Sequence, residues 1–129
     1  MAIDVDVVNT SVEGGAWTEE LMGCKFCVVS LSSTKFQRLL NRLNMPFRRK
    51  LDKGTMDPKD SKRILCKAMA GGLVVDWKGV QQGGKDVDFN KELAEKLLAN
   101  NDVVREYVQE FASDLDNYYE EEEAEIVKS

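Results

Sequence analysis

The chain contains no histidine. That removes the commonest general base, the serine–histidine nucleophile pair and the commonest metal ligand together. Cysteine is scarce and odd in number: Cys24, Cys27 and Cys66. With no sign of export, reduced thiols in a cytoplasm are expected rather than a disulfide framework. The opening MAIDVDVVNT is acidic and lacks the apolar centre of a signal peptide. No apolar run approaches the roughly 20 residues that a membrane helix needs. Basic residues are missing from the whole stretch between Glu110 and Glu125, which carries eight acids.

What is present suits one small soluble domain. The 129 residues are 43% hydrophobic and 32% charged, enough for a real core under a well-charged surface. The net charge of -5 argues against a simple nucleic-acid binder, yet the charge is segregated. Between Lys35 and Arg63 ten cationic side chains face only Asp52, Asp57 and Asp60. The chain therefore has a basic middle and an acidic end.

The first residues show little pattern, so 1–12 are expected to be a flexible N-terminus, 13–119 one globular domain and 120–129 an acidic tail. Residues 16–21 (AWTEEL) and 25–31 (KFCVVSL) read as a β-hairpin, with aromatic and β-branched side chains suited to a half-buried sheet. Gly23 supplies the turn. A helix follows, opened by Ser32 or Ser33, with Phe36, Leu39, Leu40 and Leu43 on one face. Pro46 should end or kink it, and Phe47 and Leu51 continue into a second short helical piece finishing near Gly54.

Asp57 followed by Pro58 is a clear helix start. Ile64, Leu65, Ala68 and Met69 form its stripe. Leu73, Val74, Val75 and Trp77 carry the apolar signal onward, so Trp77 reads as the anchor at that helix's end. The glycines of VQQGGKDV turn the chain, and Asn90 caps a helix with Leu93, Leu97 and Leu98 inward. Asn101 or Asp102 caps the last helix, along which Val104, Tyr107, Val108, Phe111 and Leu115 recur at threes and fours before the glutamates fray into solvent. The fold class is mainly α: a small helical domain with an N-terminal β-hairpin.

Candidates for chemistry are few. Cys24 and Cys27 form C-x-x-C, but only Cys66 remains as a further ligand where zinc wants four, and the motif runs into a strand rather than opening a helix. Inert thiols are the simpler reading. QQGGK is too short for a phosphate loop. Asp76, Asp86 and Asp88 could in principle take a hard cation or act as acid and base, but their spacing is not that of an EF-hand and turns commonly carry carboxylates. No enzyme activity, cofactor or metal is expected. The basic segment is a solvated helical face or a phosphate-contacting surface. Aromatic residues are not interleaved in it at base-stacking spacing.

Taken in order, these pieces resemble the tail assembly chaperones of long-tailed bacteriophages. Residues 14–43, with Trp17, the strand KFCVVSL and the helix around Phe36, resemble the family's opening strands and first helix. Residues 45–80 resemble its basic helix, capped helix and "DWxGV" segment, here Asp76-Trp77-Lys78-Gly79-Val80. Gly84, Phe89, Leu97-Leu98 and the glutamate-rich end are similar to its last third. Ser32-Ser33 departs from the usual Gly-Asn-like pair, and the central turn lacks acidic residues before its glycine. The resemblance implies a non-enzymatic holdase of the host bacterial cytoplasm, absent from the mature virion, in its short form. Its partner would be the tape measure protein, and a longer frameshifted form would reach the tail tube protein.

On that reading the binding surface includes the helix over 34–51, with Met45, Phe47, Arg48, Arg49 and Leu51 as candidate contact residues around the Pro46 break. Core packing is the alternative role for Met45 and Phe47. The rival function is a small phage nucleic-acid-binding or host-takeover protein using segment 35–63; a structural tail component is a third.

Overall fold

The computed structural model describes residues 15–128, with side-chain surroundings through residue 115; the expectation for 1–12 lies outside them. Strands β1 (Ala16–Trp17) and β2 (Lys25–Val28) form the expected hairpin. Its connection closes on reciprocal Leu21–Cys24 backbone hydrogen bonds of 2.8 and 2.9 Å, with both Met22 and Gly23 at positive φ. That is the twist a two-residue hairpin turn requires.

Helix α1 (Thr34–Asn44) leads through a 3-10 turn at Met45–Phe47, which contains Pro46, into the short α2 (Arg48–Asp52). Proline cannot supply the next helical donor, so the helix tightens and changes course here. Ser33 occupies the N-cap position of α1 but makes no side-chain cap bond. Its hydroxyl is buried without a hydrogen-bond partner. The expected serine cap is therefore positional only.

Helix α3 (Pro58–Gly72) begins as anticipated, with Asp57 accepting from the Lys59 amide at 2.8 Å and Pro58 in the first turn. Its end corrects the sequence reading. After Gly72 the chain becomes a strand, β3 (Val74–Lys78), which pairs antiparallel with β2 through Phe26↔Trp77 and Val28↔Val74. Trp77 is thus a sheet residue rather than the end of a helix. The adjacent glycines withdraw helical support, and the Val74-Val75 pair fits a pleat better than a helix. The sheet order is β1-β2-β3, and a second tiny hairpin joins β4 (Gln81–Gln82) to β5 (Lys85–Asp86).

Helix α4 (Lys91–Asn100) is capped by Asn90, whose side chain accepts from Glu92 and Leu93. One residue later α5 (Asp102–Lys128) starts, with Asn101 accepting from Val104. Arg105 and Lys62 both reach Asp102, at 2.7 and 3.5 Å, tying α5 to α3; the Arg105 contact comes first among the causes holding this exposed carboxyl below its ordinary pKa. The backbone of α5 stays helical through the glutamate run to Lys128, where a frayed tail was expected.

The core lies between the inner sheet face and the helices. Phe26, Val28, Val74 and Trp77 meet Met69 and Leu73, then Ala94, Leu98, Val104, Val108 and Ala112 from the last two helices. The Trp77 indole donates to the Val87 carbonyl at 2.9 Å and takes an edge contact with Phe89 at 5.2 Å between ring centroids. Burying the large ring with its one polar atom satisfied makes it the sheet's main anchor; truncating such a residue costs about 3–5 kcal/mol. Beside it Gly79 has φ +76°, and a methyl there would run into the Gly23 carbonyl.

Two substitutions separate these constraints. Gly79→Ala should lower the unfolding free energy by about 2–3 kcal/mol in urea titration, since it meets backbone as well as a left-handed φ. Ser33→Ala should be neutral or stabilising by about 1 kcal/mol, opposite to the usual loss of a serine cap, because it removes a buried, unpaired hydroxyl.

Candidate functional site

The arm formed by the 3-10 turn and α2 contributes no buried residue. Met45 is 66% exposed and Leu51 42%. Arg48 and Arg49 are exposed too, while Phe47 is half-buried with the Lys50 ammonium 5.9 Å from its ring centroid. A shallow cleft of about 440 Å³ is lined by Asn41, Asn44, Met45, Arg48, Leu51 and Asp52. Of the five candidate contact residues, the fold therefore gathers Met45, Arg48 and Leu51 into one concave surface. Phe47 and Arg49 do not line it. Met45 and Arg48, and then Arg48 and Leu51, are each three residues apart, the spacing of neighbours on a helical surface.

A second, larger surface was not foreseen. A cleft of about 710 Å³ opens where α1, α3 and α4 meet. Lys35, Arg38 and Arg42 reach it from α1, Lys67 from α3 and Lys91 from α4, with Glu92 and Glu95 the only acids on its wall. The α1 trio was visible in sequence as a helical i, i+3, i+7 series. Lys67 and Lys91 lie outside the basic segment and join it only through tertiary packing.

The carboxylates of the central turn come together without forming a coordination sphere. Asp76, Asp86 and Asp88 line a cleft of about 640 Å³ that also takes in Lys78. Asp76 accepts from the Trp77 amide at 2.8 Å and Asp86 from the Gln81 side chain at 3.0 Å. Among the described residues, no group of three or more His, Cys, Asp or Glu is placed to hold a metal ion. No helix among them is long and apolar enough to cross a membrane.

The thiols sit in unreactive settings. Burial, reinforced by Asp86 and Glu20, raises the Cys24 pKa, and its Sγ donates to the Gly79 carbonyl at 3.2 Å. Burial and Asp76 raise that of Cys27. Cys66 is raised by burial against the opposing pull of Arg105 and Lys62. A raised pKa means less thiolate, hence less nucleophile, at neutral pH.

Residues 31–129 match the family model described as YdaY prophage protein. The chain belongs to the YdaY prophage protein family. It is therefore phage-associated. The matched region of this YdaY family member contains the arm and all five cations of the larger cleft, and begins just after the β1–β2 hairpin. No curated protein and no solved structure shows significant similarity.

The thiol environments give a direct prediction. Alkylation at pH 8 should be several-fold slower for the native YdaY family chain than for the urea-unfolded chain, with Cys66 last to react. The native rate should keep climbing above the pH at which an ordinary thiol levels off, because the folded thiols ionise later. Mass spectrometry of the modified peptides reads both effects.

Proposed function

We propose that this protein is a phage tail assembly chaperone that holds the tape measure protein soluble, binding helical segments of it through the Met45–Leu51 arm. The observation that carries the reading is the exposure of Met45 and Leu51 on an arm with no buried residue, beside a well-packed core. A long amphipathic helix waiting for tail subunits has an apolar stripe that would aggregate. Exposed apolar groups edged by Arg48 and Arg49 can cover such a stripe reversibly, with the charges governing encounter and solubility more than affinity. The ordered resemblance over most of the chain supports the tail-chaperone assignment, and membership of a prophage family supports its phage setting.

On this proposal the protein is not an enzyme, works in the host cytoplasm and is left out of the finished virion. Contact with the tail tube protein would belong to a longer frameshifted form. The competing reading, a nucleic-acid-binding or host-takeover role for segment 35–63, draws on its excess of cationic side chains. Under it, a gel shift would depend on Arg48, Arg49 and Lys50 and weaken steeply with salt.

Co-expression with the tape measure protein of the same prophage tests the proposal. The partner's soluble yield should rise and the two should co-elute. Replacing Met45 and Leu51 by Ser should reduce capture about tenfold while leaving the unfolding midpoint almost unchanged, since exposed positions contribute little to stability. An insoluble partner beside a chain that elutes alone would count against the chaperone role. Loss of folding in the double variant would show these residues to be structural.

A further inference from the structure

The arm leaves the larger basic cleft unexplained, and the cleft's chemistry is different. Five cations surround it, and none of them takes part in an ion pair among the described residues. Like charges held close on helices repel, and a concave wall between packed helices concentrates their field. Its floor is apolar, formed by Leu39, Ala70 and Gly71. The cleft therefore suits a rod-shaped anion with some apolar surface.

Such a rod exists in this chain. No Lys or Arg lies between Arg105 and Lys128, whereas Glu120, Glu121, Glu122, Glu123 and Glu125 cluster near the end of α5. Carboxylates three and four apart on a helix, as Glu122 and Glu121 are from Glu125, match the spacing of Lys35, Arg38 and Arg42 on α1. We infer that the cleft between α1, α3 and α4 receives the glutamate run of a second copy of this chain, so that molecules associate head to tail. The cleft's own Glu92 and Glu95 disfavour a polynucleotide, whose phosphates would run past them; a peptide helix can place an apolar residue there instead.

The occupant comes from another copy for a geometric reason. Helix α5 is continuous from Asp102 to Lys128. Its last buried side chain among those described is Ala112, and Glu120 stands eight residues, about 12 Å, further along the axis. Among the described residues, α5 contacts chiefly α4 and β2, and a continuous helix cannot double back to lay its own end into a cleft beside it. Because donor and acceptor surfaces differ, the contact is heterologous: each molecule can donate to one neighbour and accept from another, growing as an open chain where the rotation between copies does not close. This inference is independent of whether the arm binds a tape measure protein.

Sedimentation velocity of the full chain, with fluorescence anisotropy of a labelled peptide of residues 117–129, tests it. At about 50 mM salt the average mass should rise with concentration, and at about 500 mM it should return to the monomer, as expected for exposed charges. The peptide should bind the full chain, and Arg38→Glu with Arg42→Glu should weaken it at least about tenfold. A peptide carrying lysines in place of the five glutamates should then bind that charge-reversed variant, which excludes simple misfolding. A monomer at every concentration with no peptide binding would overturn the inference. So would peptide binding indifferent to Arg38 and Arg42, or Arg38-dependent capture of a DNA oligonucleotide with none of the peptide.

Discussion

The close approach of α1 to α3 sets much of this molecule's geometry. At Gly72 an added methyl would stand 3.0 Å from the Phe36 Cα, and at Gly71 it would collide with the Leu39 side chain. Two consecutive glycines therefore let one helix lie nearly against the backbone of the other. The contact seats Phe36 in the core. It also fixes which side of α1 remains outside, and so where Arg38 and Arg42 stand relative to Lys67. The same glycines end the helix and release the chain into β3. Packing, helix termination and the disposition of surface charge are here three results of omitting two side chains.

Much of this was legible because it is local. Asp57 and Asn90 fulfil their capping roles within three residues of their own positions, and the hairpin turn is written in the few residues around Gly23. Trp77 could be recognised as an anchor by size and apolar company. Its backbone state could not, since the strand that makes it part of a sheet is β2, some fifty residues upstream. Locally, Leu73 to Trp77 could extend a helix or begin a strand, and only pairing with Phe26 and Val28 decides. The candidate contact residues show the same limit. Met45, Arg48 and Leu51 fall together by helical spacing, whereas Phe47 and Arg49 leave that surface although they are neighbours in sequence. The five-cation cleft needed three helices to be folded before it existed.

Helix α1 thus serves two unlike surfaces. Along its length it offers cations to a cleft shared with α3 and α4, and beyond Asn44 it hands over to an arm with exposed apolar groups. Pro46 is the boundary between them. By breaking the helix it starts a new course for the arm, which adds no buried residue to the core that holds Phe36.

The two tryptophans occupy opposite faces of one small sheet. Trp77 is 5% exposed on the inner face, while Trp17, 40% exposed, lies outside with the Lys78 ammonium 4.6 Å from its ring centroid. An indole in an apolar core emits at shorter wavelength than one in water, and a nearby ammonium perturbs the excited state of the ring it covers. The chain consequently carries two indole fluorophores in unlike settings, one reporting on the core and the other on the open face of the sheet.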